Sequence, residues 1–300
     1  MKKTTITTLF TALAVVATAP VYADGRLEKI KSTGEIALGH RDSSIPFSYL
    51  DDKQQPIGYS MDICKNIVEA VKEKLGMDKI NVKMVPVTSS TRIPLLANGT
   101  VDLNCGSSTN TKARQAQVTF APTTFVTATR FVAKKSSNIN NLDDLKGKTV
   151  VSTAGTSNIR WATGANEKQK LGMNIIPAKD HAEALLTVNN GRAAAFFMDD
   201  ILLAGLVATS RDPSEWMISK DAYTVEPYAI MEPKDDPEFK KVVDDTIIGM
   251  MKDGSLAELY KKWFESPIPP KNVNLNWPIS EQLKKAMANP TDSPDPDVYK

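Results

Sequence analysis

Residues 36–87 decide the fold class, because they contain a complete strand–helix–strand unit: IALG at 36–39, MDICKNIVEAVKEKLG at 61–76 and NVKMVPV at 81–87. In the middle segment, apolar residues recur three and four positions apart over 61–75, which predicts a helix. Ser60 is a candidate N-cap, and Gly76 follows the last apolar position. Short apolar strands alternating with such helices predict an α/β protein with mostly parallel sheets.

The alternation continues on both sides of residue 130 and indicates two similar lobes. The further predicted elements are a helix at 92–97, a strand at 101–103, strands at 148–153, 174–176 and 193–198, and helices at 156–169, 182–188, 237–252 and 256–264. Strand-like segments at 125–133 and 223–231 would carry the chain from one lobe to the other and back. We therefore expect 24–128 to form the first part of lobe 1, 129–224 lobe 2, and 225–300 the return segment and tail of lobe 1.

The C-terminal tail, from Ser266 onward, is rich in proline. Proline fixes the backbone and removes a hydrogen-bond donor, which disfavours long helices and central strands. We therefore expect an extended segment that wraps the protein, with disorder near its end.

The N-terminal segment predicts export. Lys2 and Lys3 precede an apolar run, Leu9–Ala19, and a small-residue cleavage pattern that ends at Ala23. This order is typical of a signal peptide over 1–23, although a buried first helix is the alternative. Removing two lysines leaves 35 basic and 35 acidic residues, so the mature chain has no global attraction for nucleic acid or anionic lipid.

The chain contains two cysteines, Cys64 and Cys105. In an exported protein they could close one disulfide, worth about 3 to 4 kcal/mol on the chain-entropy model. Two separate buried thiols are the other possibility.

Sequence motifs give no sign of catalysis or of a cofactor. The chain has no G-x-S-x-G, G-x-G-x-x-G, G-x-x-x-x-G-K or H-E-x-x-H motif, and its only histidines are His40 and His181. Two histidines and two widely spaced cysteines also make zinc improbable. We therefore expect neither a metal nor a cofactor.

Polar residues follow six predicted strands, where open α/β sheets place their ligand sites. They include three arginines, several hydroxyls, a histidine and a carboxylate: Arg41, Ser89, Arg92, Ser107, Thr109, Arg114, Thr156, Ser157, His181 and Asp199. Any single serine or threonine could simply cap the next helix. However, a hydroxyl and free backbone N–H groups at a helix start also bind anions, especially beside an arginine.

The charges of these residues suggest the ligand. Two anion sites and one carboxylate are complementary to two carboxylates and one ammonium, as in glutamate or aspartate. Asp199 is the candidate for the ammonium, because an unpaired carboxylate at the end of an apolar strand would be costly. The balance is three arginines against one aspartate.

Several of these stretches resemble a known family: Gly39–Ser48, Thr88–Leu95, Asn104–Asn110, Ala178–His181 and Phe197–Asp200. They are similar to the periplasmic glutamate/aspartate-binding proteins of bacterial ABC importers, in solute-binding protein family 3, and the likeness covers essentially the whole mature chain.

The resemblance implies a type II periplasmic-binding-protein fold, with two α/β lobes joined by a two-strand hinge. It assigns the ligand's side-chain carboxylate to Arg41, Ser89, Arg92 and His181. It assigns the α-carboxylate to Ser107, Thr109, Arg114 and the helix start at Thr156 and Ser157, and the ammonium to Asp199. It also implies a monomer in the periplasm that closes on L-glutamate or L-aspartate and delivers it to an ABC permease.

Two other functions are compatible with this fold. An enzyme similar to cyclohexadienyl dehydratase would need a proton donor or acceptor in the cleft, for which His181 or Asp199 could serve. A ligand sensor would use the same pocket with a membrane receptor as its partner.

Overall fold

The computed structural model describes residues 25–300, so the predicted signal peptide lies outside the described residues. Within this range the α-helices are α1 Arg26–Thr33, α2 Tyr59–Leu75, α3 Arg92–Ala97, α4 Lys112–Gln115, α5 Ser157–Gln169, α6 His181–Asn189, α7 Asp200–Ala208, α8 Pro237–Asp253, α9 Ser255–Phe264 and α10 Glu281–Ala288. The strands are β1 Glu35–His40, β2 Ser43–Ser44, β3 Ser48–Leu50, β4 Pro56–Ile57, β5 Asn81–Pro86, β6 Leu103–Asn104, β7 Thr119–Phe120, β8 Phe125–Thr127, β9 Thr129–Lys134, β10 Thr149–Thr153, β11 Asn174–Ala178, β12 Ala195–Asp199, β13 Trp216–Ile218, β14 Glu226–Tyr228, β15 Met231–Glu232, β16 Pro267–Ile268 and β17 Val273–Asn274.

The first five-stranded sheet has the order β5-β1-β6-β15-β7. Strand β1 is parallel to both β5 and β6, as the strand–helix–strand pattern predicts. The apolar face of α2 covers this sheet, and Ile63 and Ile67 are fully buried with Leu38 of β1. Because α2 connects two parallel strands, the loops after β1, β5 and β6 all lie at one edge of the sheet.

The second sheet repeats this design with the order β11-β10-β12-β9-β13. Strand β10 is parallel to β11 and β12, and β9 is antiparallel to β12. The loops after β10, β11 and β12 therefore share one edge, and this edge faces the corresponding edge of the first sheet.

Two short strands connect the sheets. Strands β8 and β14 pair antiparallel, with Val126 opposite Pro227. The segments 125–133 and 223–231, predicted to be strand-like, each contain two strands. Each segment is interrupted because it changes partners: β8 pairs with β14 while β9 pairs with β12, and β14 is separated from β15, which joins the first sheet.

Helix α2 begins two residues earlier than predicted, and Ser60 is not its N-cap. The cap is Gly58, whose φ is 135°. A Cβ atom there would lie 2.3 Å from the carbonyl oxygen of Phe47, so only glycine fits. Ser60 instead donates a hydrogen bond to the carbonyl oxygen of Gly106 at 3.1 Å. The helix ends at Leu75, and Gly76 follows as its C-cap with φ 63°, as predicted.

The two cysteines form a disulfide with a Cα–Cα distance of 6.1 Å. Cys64 lies on α2 and Cys105 directly follows β6, and both are fully buried. The bridge therefore ties the central helix of lobe 1 to the loop that carries Ser107 and Thr109.

The C-terminal tail wraps the first lobe, but the expectation of disorder near its end is wrong. It forms the β16–β17 hairpin, then α10, and ends in a 3-10 turn at Pro296–Tyr299. Tyr299 is only 1% exposed. A buried aromatic side chain anchors the last residues of the chain despite the prolines around it.

Candidate functional site

The strand ends of the two sheets place the predicted residues opposite one another. In lobe 1, Arg41 follows β1, Arg92 is the first residue of α3, and Arg114 lies on α4. In lobe 2, His181 is the first residue of α6 and Asp199 is the last residue of β12. Each position follows from a parallel strand that delivers its polar successor to the same edge of the sheet.

Eight of the ten predicted residues line one small cavity between the lobes: Ser89, Arg92, Ser107, Thr109, Thr156, Ser157, His181 and Asp199. The other two border it, since Arg41 contacts His181 and Arg114 contacts Thr109. The structure thus brings all ten together. A larger depression near Lys134 and Arg192 is open to solvent and has no buried ionisable side chain in its lining.

Arg41 and His181 meet across the lobes. Nη2 of Arg41 lies 3.4 Å from Nε2 of His181, and Oγ1 of Thr153 lies 2.8 Å from Nδ1. A guanidinium only donates, so Nε2 accepts and Nδ1 carries the hydrogen in this arrangement. Burial, with Arg41 and Arg92 nearby, holds the pKa of His181 well below its usual value, so the ring is neutral. Nη1 of Arg41 has no hydrogen-bond partner among the described residues.

Arg92 forms hydrogen bonds with one loop, and one of its donor atoms has no acceptor among the described residues. Its Nη1 donates to the carbonyl oxygen of Ser107 and to Oγ of Ser108, both at 2.9 Å. Its Nε has no partner within residues 25–300, and the same holds for the hydroxyls of Ser89 and Ser107. Burial, followed by the charges of Arg114 and Arg41, lowers the pKa of Arg92. Because unpartnered buried polar atoms are rare and costly, this cluster indicates a site for an anion.

Arg114 connects the two lobes. Its Nη1 donates to the carbonyl oxygen of Thr109 at 2.7 Å, and its Nη2 donates to that of Gly155 at 3.2 Å. Burial lowers its pKa to about 10, which leaves the guanidinium charged at neutral pH. Beside it, the hydroxyls of Thr109 and Ser157 lie 3.2 Å apart.

Of the two residues at the start of α5, Thr156 is the N-cap of the helix. Its hydroxyl donates to the carbonyl oxygen of Thr153 at 2.7 Å and accepts from the backbone N–H of Ile159. Ser157 has its hydroxyl free of such capping bonds. It donates to Oε2 of Glu226 at 2.8 Å and faces Thr109.

The acidic end of the site contains residues that the sequence reasoning missed. Asp199 accepts hydrogen bonds from Nδ2 of Asn158 at 2.6 Å and from the hydroxyl of Tyr228. Glu226 is also buried and lies near it. Burial, and then the charge of Glu226, raises the pKa of Asp199 to about 8. Glu226 therefore adds a second buried carboxylate beside the three arginines and one aspartate that the sequence predicted.

The two lobes are in close contact around the cavity. A Cβ atom at Gly155, whose φ is +77°, would lie 2.8 Å from the backbone of Ser89, and one at Gly205 would lie 2.7 Å from the carbonyl oxygen of Ile45. Both glycines are in lobe 2 and both neighbours in lobe 1. The lobes therefore approach backbone to backbone, as in a closed state.

Two α/β lobes that close on a charged cavity define a solute-binding protein of the two-lobe type. Residues 36–266 match the profile of the bacterial extracellular solute-binding proteins, family 3, and the chain belongs to this family. None of the described helices, over 25–300, is long and apolar enough to span a membrane.

Relatives agree with this assignment. The chain is 50% identical over 284 residues to the L-glutamate/L-aspartate-binding protein of Pseudomonas aeruginosa, covering 93% of this chain and 94% of the relative. It is 47% identical over 270 residues to the glutamate/aspartate import solute-binding protein of Escherichia coli, covering 90% and 89%. These relatives are binding proteins and not enzymes, which removes the enzymatic alternative.

The fold also matches solved structures. The P235GK mutant of the arginine-binding protein from T. maritima superposes with a TM-score of 0.70 at 25% identity, covering 80% of this chain and 99% of that one. The two-lobe type II fold expected from the sequence is thereby confirmed.

Proposed function

We propose that this protein captures L-glutamate or L-aspartate by hinge closure and delivers it to the permease of an ABC importer. The observation that carries the proposal is the cluster of buried donors without partners among the described residues: Arg41 Nη1, Arg92 Nε, Ser89 Oγ and Ser107 Oγ. A carboxylate ligand would satisfy all of them. The names of relatives that are 47% to 50% identical support the same ligands.

Arg41, Ser89 and Arg92 would hold the side-chain carboxylate of the ligand. Ser89 and Arg92 line the cavity and Arg41 borders it through His181, and each of the three has a buried donor without a partner among the described residues. Carboxylate–guanidinium bonds are about twice as strong as neutral ones. His181 would join them from the opposite lobe. Because Nε2 accepts from Arg41 in the structure, ligand binding would require the other neutral tautomer, in which Nε2 donates to the carboxylate and the Thr153 hydroxyl donates to Nδ1.

Ser107, Thr109 and Arg114 would hold the α-carboxylate, together with the start of α5. Within α5 we assign the side-chain contact to Ser157, because the Thr156 hydroxyl is occupied by capping bonds. Thr156 would contribute by fixing the helix N-terminus, whose free N–H groups favour an anion.

Asp199 would bind the ammonium group, and Glu226 completes the balance of charge. With both carboxylates ionised, the three arginines leave a site charge of +1, which is the opposite of the net −1 charge of glutamate or aspartate. The ammonium would replace the proton that burial favours on Asp199.

The hinge would consist of β8 and β14, where the chain leaves one lobe and returns to it. Lobe 1 would comprise 24–128 and 225–300, and lobe 2 would comprise 129–224. Ligand docked on one lobe would gain contacts from the other only in the closed state, which shifts the equilibrium toward closure. The closed monomer would then be recognised by the permease in the periplasm, after removal of residues 1–23.

A thermal-shift screen of the twenty amino acids tests the proposal on protein that has been unfolded, dialysed and refolded. A ligand at 100 times its Kd adds about 2.7 kcal/mol to the free energy of unfolding. We expect L-glutamate and L-aspartate to raise Tm and the other amino acids to have little effect. A screen in which a neutral or basic amino acid gives the largest shift would contradict the proposal.

A further inference from the structure

The last ten residues of the chain lie against the loop that carries part of the candidate site. The match to the family profile ends at residue 266, so the tail lies outside the matched region. Helix α10 packs on the first lobe through Leu283, and residues 291–300 then run beside the loop before α4 and the segment before β8. Their contacts are specific hydrogen bonds.

The first set of contacts involves Asn110, which is 1% exposed. Its Nδ2 donates to the carbonyl oxygen of Asp292 at 2.8 Å, and its Oδ1 accepts from Nε2 of Gln115 at 3.0 Å. Its backbone N–H donates to the carbonyl oxygen of Pro227, in the hinge strand β14, at 2.8 Å. Asn110 thus ties together the tail, the hinge and α4.

The second set fixes the tail itself beside β8. The backbone N–H of Thr123 donates to the carbonyl oxygen of Thr291 at 2.9 Å. The buried hydroxyl of Tyr299 lies 2.8 Å from Oγ1 of Thr123 and donates to the carbonyl oxygen of Ser293 at 2.8 Å. These bonds place the carbonyl of Asp292 opposite Asn110.

Asn110 stands between the residues of one subsite. Thr109 precedes it, and Thr111, which follows it, caps α4 with its side chain. Helix α4 has four residues and carries Arg114, whose guanidinium donates back to the carbonyl of Thr109. So short a helix has little stability of its own and depends on its surroundings for a fixed position.

We infer that residues 291–300 are a positioning segment of the binding site, which holds Asn110 and thereby keeps Thr109 and Arg114 in the geometry that receives an α-carboxylate. The inference rests on the proposed function. Groups held in place before binding lose less entropy when the ligand arrives, so removal of the segment should weaken binding even though the segment touches no ligand.

The test removes residues 291–300 and retains α10. We expect the Kd for L-glutamate, measured by calorimetry, to rise about tenfold, which is about 1.4 kcal/mol. The control is Asp297→Asn in the full chain, because the exposed Asp297 carboxylate pairs with Lys300 and takes no part in the hydrogen bonds of Asn110 and Thr123 described above. This control should bind as the unaltered chain does.

Double-mutant cycles separate positioning from a general loss of stability. Truncation combined with Thr109→Val should be less than additive, because both changes damage the same subsite. Truncation combined with Ser89→Ala should be additive, because Ser89 belongs to the other end of the cavity. Equal coupling to both substitutions would overturn the inference.

A second variant covers the case in which the truncated chain does not fold. Asn110→Leu keeps the tail but removes its contact with the loop, and we expect a threefold to tenfold rise in Kd with the same preferential coupling to Thr109→Val. Unchanged affinity in either altered chain would overturn the inference. If the full-length chain itself did not bind L-glutamate, the proposed function would fail instead.

Discussion

The two ends of the cavity differ in how their buried charged groups are stabilised. At the cationic end, Arg41 and Arg92 each keep a buried donor atom without a partner among the described residues. At the acidic end, Asp199 accepts from Asn158 and Tyr228, and burial favours its protonated form. A carboxyl group lowers its desolvation cost by taking a proton, whereas an arginine stays charged and needs an anion. The cationic end therefore depends more strongly on a ligand.

Glutamine tests the cationic end most severely. It is close in shape to glutamate but supplies no anion for Arg41 and Arg92. We expect its Kd to be at least about a thousandfold higher, or about 4 kcal/mol, because charged buried donors would remain poorly paired. Competition calorimetry against L-glutamate measures the ratio. Similar affinities for the two amino acids would contradict the assigned carboxylate site.

Asp199→Asn tests the acidic end. The amide cannot pair with an ammonium as a carboxylate does, and we expect the Kd for L-glutamate to rise about a hundredfold, or about 2.7 kcal/mol. Asp200→Asn is the matched control, because the carboxylate of Asp200 pairs with Arg130 and Thr127 and does not line the cavity. The control should lower Tm without a comparable loss of affinity. Equal losses of affinity would remove Asp199 from its role.

Arg114→Lys probes geometry at constant charge. A lysine cannot bond both Thr109 and Gly155 while presenting a planar pair of donors to a carboxylate. We expect a more than tenfold rise in the Kd for L-glutamate by calorimetry. Arg160→Lys is the comparison, since Arg160 is exposed at the outer part of the same cleft. An Arg114→Lys protein with unchanged affinity would exclude Arg114 from the site.

The pH dependence of binding sharpens the contrast between the ends. Because the pKa of Asp199 is raised to about 8, its carboxyl group is largely protonated below pH 7, and binding of an ammonium group there would have to expel that proton. We expect the affinity for L-glutamate to rise by up to about tenfold per pH unit between pH 6 and 7, with proton release seen as buffer-dependent calorimetric heats.

The stability of the ligand-free protein changes with pH in the opposite direction to the affinity. Without ligand, the raised pKa of Asp199 stabilises the folded state at low pH, and this contribution is lost as pH rises through about 8. The Asp199→Asn protein should show neither effect. Affinity that is independent of pH in the unaltered chain would mean that Asp199 is already ionised. His181 contributes no slope in this range, because its pKa lies well below the usual value.

Much of this arrangement could be predicted from the sequence, and the physical reasons are specific. Helix α3 has the predicted bounds, and the residues after β1, β5, β6, β10, β11 and β12 converge because parallel strands share one direction. Glu226 and Tyr228 escaped prediction because they lie on the return strand β14 and follow no strand of the repeated pattern. Nothing local in 125–133 indicates that the segment divides into β8, which pairs with β14, and β9, which pairs with β12.

The close approach of Gly205 to Ile45 makes lobe closure sensitive to a single added methyl group. Helix α7 meets the loop after β2 with no room for a side chain, since a single added methyl group would lie 2.7 Å from a carbonyl oxygen. The added methyl group of Gly205→Ala would prevent the two lobes from reaching the closed state. The residues that each lobe contributes to the cavity would be unchanged. A protein with this substitution would bind a solute on one lobe without reaching the closed conformation.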